Sequence, residues 1–410
     1  MLGCAALAWT AGCHHRTEDR PAAPATPTWT HDIAPLLARR CGACHGDGQT
    51  PAVAPPALGG YREARQAAAQ SLRAIRRRMM PPFGADDTGL CGTWSDAAWL
   101  TDDEIAAFGA WVEHGMPHGL GPPSRPSAEP PPLAATVAAL GPGPAFTPGL
   151  GERASRCFLL PAPAVAGALL TGVTVSSEPR AAVRQANLYP LADAAAAARA
   201  RALDAADREP GWTCAGAPDG ANGDLVASWS RNTPVQRAPD GTGVPLRAPA
   251  YVAQLRYDLV ASAPGVPVKA RFLLATAPGR GIRDARLVPL RAAPFTLAPN
   301  EAQARVSATW TVDRATTFRG LVPRMNALGR TLDLQVAHGP QHLCLAHFGH
   351  WDPYDQQLFH TTGPVPLARG DTVTVSCTFA TTSRTADTKM GEAPDEEQCL
   401  AHLYLVDAQP

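Results

Sequence analysis

The stretch Cys41-Gly42-Ala43-Cys44-His45 constrains this chain more than any other. Two thiols separated by two residues and followed at once by a His form the attachment pattern of c-type haem. The thiols can make thioethers to the haem vinyl groups, and the adjoining imidazole can reach the iron. A redox dithiol needs no His after it. A zinc cage would need a second Cys pair, which the chain lacks.

At 410 residues the chain has room for two or three domains of about 150 residues each. Its 36 basic and 36 acidic residues cancel, so charge points to neither nucleic acid nor an anionic membrane as partner. Residues 1–28 read as a signal segment and tether. Met1 to Cys13 is small and apolar, ends in Thr-Ala-Gly-Cys and turns polar at His14, the pattern of a lipoprotein signal with Cys13 acylated. No positive n-region precedes it, and a short signal or a plain N-terminal tail are the other readings. Lipid is the only membrane attachment expected, since no later run reaches about 18 apolar residues. An exported protein, periplasmic or anchored at the outer membrane, follows from the haem motif. Disulfides among the remaining cysteines are then allowed.

Residues 29–120 read as one helical domain. Ile33, Leu36 and Leu37 are apolar at helical spacing and lead into Cys41, and a second helix is expected over Tyr61 to Arg78. It stops at Met79-Met80-Pro81-Pro82, where the prolines present the preceding Met on extended chain. Met80 is the expected sixth iron ligand, with Met79 as fallback and packing methionines as the alternative. A last helix is signalled by the Thr101/Glu104 capping box and by Ile105, Phe108, Trp111 and Val112 on one face, with Gly115 ending it. His31, His114 and His118 are expected at the surface. This region resembles a class I cytochrome c domain, which implies haem c held by Cys41, Cys44, His45 and Met80.

Residues 121–150 are Pro-rich and read as a spacer. Beyond Cys157, short alternating runs separated by Gly and Pro predict antiparallel sandwiches: Leu169 to Val175, Tyr251 to Val260, Val268 to Ala275, Ala304 to Val312, Thr331 to Val336, Asp371 to Phe379 and Leu400 to Val406. One Ala-rich helix, about Asp193 to Ala206, interrupts them. Two sandwiches, 151–278 and 279–410, suit this length better than one.

An ordered set of landmarks runs through this half: Arg156-Cys157-Phe158, Asn187-Leu188-Tyr189, Gly211-Trp212-Thr213-Cys214, Gln254-Leu255-Arg256-Tyr257, Leu328-Gly329-Arg330, Trp351-Asp352, Cys377-Thr378-Phe379 and Gly391-Glu392 to Cys399. The set resembles the copper type II, ascorbate-dependent monooxygenases, the peptidylglycine and dopamine hydroxylase family. The resemblance covers roughly 140 to 408. It implies two antiparallel jelly-roll β-sandwiches, each with one copper, and disulfides Cys157 to Cys214 and Cys377 to Cys399, each contributing about 3 kcal/mol. It leaves Cys91 and Cys344 without partners. The implied copper-ligand positions are occupied by Arg184, Gln185, Arg256, Arg324, Asn326 and Gln398. Guanidinium offers a metal no lone pair, so copper is not expected.

Arg184, Arg256 and Arg324 have two readings, internal salt bridges filling vacated sites or an anion pocket, and the first is preferred. His342, His347, His350 and His360 read as ordinary surface or packed histidines, with a new metal site or a Cys91 to Cys344 disulfide as alternatives. The chain is therefore expected to be an exported, haem-bearing electron-transfer protein whose sandwich half binds a small ligand or peptide. Its redox partner would be a protein or a small electron donor or acceptor. An active haem-coupled monooxygenase is the alternative, and a structural lipoprotein a third.

Overall fold

Four helices open the fold, and each has a visible local cause. A π-helical turn at Trp29–Ile33 runs into α1 (Ala34–Arg40), a single turn α2 (Gly42–His45) carries the Cys-His motif, and α3 (Tyr61–Arg76) and α4 (Asp102–Glu113) follow. The Thr101/Glu104 capping box forms reciprocally, satisfying two donors at the start of α4. α3 ends two residues earlier than its sequence pattern suggests, because Arg78 takes a left-handed φ of 56°. Arg78 then ties the two helices, donating to the Leu100 carbonyl and pairing with Asp102 at 2.8 Å. Leu36, Leu37, Ala64, Leu72, Ile75, Phe108 and Trp111 share one small core. His31, His114 and His118 are exposed.

The structure, a computed structural model, describes residues 26–46, 52, 54–95, 97–123, 133, 136–140, 145–149, 155–162, 167–179, 182–221, 224–233, 235–257, 265–393 and 395–407. The expected lipidation residue Cys13, and most of the 121–150 spacer, lie outside these.

The rest of the chain is sandwich-like β structure. A five-stranded sheet runs Trp212–Thr213, Ser155–Pro161, Ala250–Tyr257, Val183–Pro190, Ala227–Ser230. A four-stranded sheet runs Ala304–Thr311, Thr372–Phe379, Gly329–His338, Gln341–Phe348. Between them a single nine-stranded sheet serves both halves of the chain, joined at Thr242–Pro245 and Arg283–Arg291 by a parallel pairing of Arg283 with Thr242 and Asp284 with Gly243. That parallel join departs from the wholly antiparallel arrangement expected. The strand Leu400–Asp407 explains why the halves share a sheet. It sends Leu403 and Leu405 into one hydrophobic core and Tyr404 and Val406 into the other. A strand apolar at successive positions has no face to give to water and must be covered twice.

Two disulfides, Cys157 to Cys214 and Cys377 to Cys399, pair as the family resemblance implies, and a third joins Cys91 to Cys344. Bonds of this kind persist in oxidising compartments. No helix among the described residues is long and apolar enough to cross a membrane.

The segment between α3 and α4 does not pack on the helices alone. Phe83, Ala85 and Trp94 enter the core of the second sandwich. Ala85 bridges to Phe348 and Trp94 to Thr361, and Asp86 and Ser95 donate backbone N–H groups to the carbonyls of His347 and His360. This segment is a strap laid across the C-terminal half and fastened by Cys91 to Cys344. Two outcomes follow. Peptide mapping without reductant should recover a linked Cys91/Cys344 peptide pair. Phe83→Ala, at a site 4% exposed, should lower stability by about 3–5 kcal/mol in urea unfolding, whereas Leu120→Ala at an exposed site should leave it nearly unchanged.

Candidate functional site

The helical unit and the sandwiches each assemble a polar site. In the first, α1 delivers Cys41, and the turn of α2 closes with the His45 N–H donating to the Cys41 carbonyl at 2.9 Å. Both thiols are part-buried, and neither is in a disulfide. Burial, reinforced by the neighbouring Cys44, pushes the Cys41 thiol up to about 12. The chain then folds back: Ala54 N–H donates to the Cys44 carbonyl and Leu58 N–H to the His45 carbonyl. The same return brings the Pro56 carbonyl 2.8 Å from His45 Nδ1. A carbonyl can only accept, so Nδ1 carries the proton there. Nε2 is left with its lone pair. The Pro56 contact has no sequence signal beyond the Pro-rich loop itself.

Met79 and Met80 are 56% and 40% exposed. They line a cleft of about 410 Å³ between the helical unit and the second sandwich, with Phe83, Arg330, His350 and Trp351 among its walls. Nothing in the local sequence signals that these methionines face the β half. They do so because the strap begins at Phe83, immediately after the two prolines.

The second site gathers five of the six positions singled out above into one hydrogen-bonded region. In the strands Val183–Pro190 and Ala250–Tyr257, Gln185, Asn187, Gln254 and Arg256 alternate with the core residues Ala186, Leu188, Ala253 and Leu255. Their polar face is covered by the segment Tyr354–Leu358 of the second half. Gln185 donates to the Gln356 carbonyl at 3.0 Å and accepts from Arg256 Nη1 at 3.3 Å. Ser228 bonds the same carbonyl at 2.6 Å, and Gln356 donates to the Met325 carbonyl at 2.9 Å. Arg324, 1% exposed, donates from Nη2 to the Tyr189 hydroxyl at 2.8 Å and lies 4.0 Å from Glu392. Asn326 donates to the carbonyls of Gly391, Ala393 and Glu396 and accepts from Gln398 at 3.2 Å. Arg184 stands apart, its guanidinium 3.6 Å from the Tyr354 ring centroid.

Electrostatics there are dominated by burial. Desolvation, and then the charge of Arg324, bring Arg256 down to about 10. Desolvation raises the Tyr189 hydroxyl, keeping it neutral. Glu397, fully buried, accepts the backbone N–H groups of Asn326, Gln398 and Leu328, yet burial outweighs them and lifts its carboxyl to about 7. Among the described residues no three His, Cys, Asp or Glu side chains converge as a metal cage. His342, His347, His350 and His360 do not meet: His347 Nδ1 lies 2.6 Å from Asp333, and His350 lines the cleft. His360 is held down to about 4 by burial and by Arg319.

Residues 327–409 match the family described as copper type II ascorbate-dependent monooxygenase, C-terminal domain. No curated protein matches the sequence. Among solved structures, a Paenibacillus xanthan lyase is 12% identical over 62% of this chain, with a TM-score of 0.18. This chain covers 23% of the lyase. The infectious bursal disease virus VP2 subviral particle is 11% identical over 67% of this chain and 80% of its own, with a TM-score of 0.17.

The Glu397 carboxyl gives a pH signature. Because its folded pKa lies above that of an exposed Glu, its contribution is fully present below about pH 4.5 and is lost as pH rises through about 7. The loss is of the order of 3 kcal/mol. Urea midpoints at pH 5 and pH 8 should fall with pH in the parent protein and much less in Glu397→Gln. Parallel pH dependence in the two proteins would refute the assignment.

Proposed function

We propose that the protein is an exported c-type haem electron-transfer protein carrying a monooxygenase-like, copper-free binding module. The observation that supports it best is the hydrogen bond between His45 Nδ1 and the Pro56 carbonyl, which fixes the tautomer that leaves Nε2 for iron. In this reading Cys41 and Cys44 would hold the haem covalently, as thioethers to its two vinyl groups. Haem iron, when bound, supplies one-electron redox chemistry. His45 would hold the haem iron through Nε2. Met80 would be the second ligand, with Met79 as substitute.

Copper is a poor fit to the β half. Arg184, Arg256 and Arg324 offer no lone pair, the Gln185 amide is engaged with Arg256 and the Gln356 carbonyl, and the Asn326 amide is engaged with Gln398 and three backbone carbonyls. The reading of a haem-coupled monooxygenase draws its support from the family match at 327–409. Metal content separates the two. Protein matured with haem and grown with copper should hold one haem that resists acid–acetone extraction, and copper near zero after chelation. Retained stoichiometric copper would favour the monooxygenase. Met80→Ala should open the reduced iron to carbon monoxide. An unchanged spectrum would pass the ligand role to Met79 or a His.

A further inference from the structure

Arg324 is the one charged residue among the largest fully buried side chains described, and its surroundings do not satisfy it. It is 1% exposed, and its Nε and Nη1 donors meet no acceptor among the described residues. Nη2 has a neutral partner, the Tyr189 hydroxyl, and its nearest carboxylate, Glu392, stands at the 4.0 Å limit of an ion pair. Glu392 is itself shared, lying 3.8 Å from Arg291. Arg256 adds a second guanidinium close enough to repel the first, which contributes to its lowered pKa. At least two positive groups therefore depend on one carboxylate. In a region this dry, an uncompensated guanidinium costs several kcal/mol, because Arg cannot shed its proton as a buried Lys can.

We propose that Arg324 and Arg256 form an internal site for a small monovalent anion, at the junction where loops of the second half cover the five-stranded sheet. The excess of positive charge sets the sign, and the unpartnered Nε and Nη1 donors supply hydrogen bonds for oxygen acceptors. The packing sets the size. Arg324 is 1% exposed and the Glu392 side chain 15% exposed, so a ligand held there is enclosed and must be small. Nitrate and formate have the right charge and dimensions, and both present planar oxygens to guanidinium. Glu392, whose side chain is 15% exposed, and Arg256, partly covered, are the members of the group nearest to solvent. The site is independent of haem.

The test is calorimetric titration of the full-length haem-loaded protein with sodium nitrate, and separately with sodium formate, in chloride-free buffer at pH 7. One saturable site is expected. Arg324→Gln should weaken it at least about tenfold, and Glu392→Gln, which removes the competing carboxylate, should tighten it about tenfold, the effect of one charge a few ångströms away in a partly shielded site. Absence of saturable binding for both anions would show that the donors are served by water and would overturn the proposal. So would nitrate binding that is equal in Arg324→Gln and the parent. Should Arg324→Gln fail to fold, Glu392→Gln decides alone: tighter binding supports the site, and unchanged binding overturns it.

Discussion

The β half of the molecule depends on one strand being buried on both faces. Leu400–Asp407 lies between Arg283–Arg291 and Thr316–Arg324 in the nine-stranded sheet. Its alternate side chains belong to different cores. Burying seven successive residues removes that strand from any register slip, since a shift by one would exchange the contents of the two cores. The residues just ahead of it inherit that rigidity. Cys399 is fixed to Cys377, Gln398 reaches Asn326, and Glu397 gathers three backbone donors.

The polar junction has a different character from the cores beside it. Hydrogen bonds between Gln185, Asn187, Ser228, Gln254 and Gln356 are directional, so they fix one orientation of the second half against the five-stranded sheet. Apolar contact alone would tolerate sliding. Charges placed at such a junction gain little net stability, but they penalise any other arrangement heavily.

Much of this was legible wherever a residue's local chemistry decides its conformation. Thr101 and Glu104 announced a helix start, the Ala run after Asp193 announced α5 (Ala194–Ala206), and Leu400 to Val406 announced a strand. Strands carrying polar residues on a buried face were not legible. Val183–Pro190 reads as mixed because Gln185 and Asn187 are covered by a segment more than 150 residues away. The stretch around His342 and His347 reads as strand and loop, and Gln341–Phe348 is a strand. The six singled-out positions were visible as residues, but their convergence with Tyr189, Glu392 and Gln356 is long-range, and no spacing encodes it. For Cys91 and Cys344, 253 positions apart, sequence offered the pairing only as a less favoured alternative.

That last disulfide changes the topology of the covalent chain. From Cys91 the backbone runs through the spacer, the first sandwich and much of the second before returning at Cys344, so most of the polypeptide is a closed ring. α1, α2 and α3 precede Cys91 and lie outside that ring, while α4 lies within it, so the core of the helical unit joins residues of both. A single break of the backbone anywhere between Cys91 and Cys344 would open the ring without dividing the molecule, because the disulfide would still hold the two pieces together.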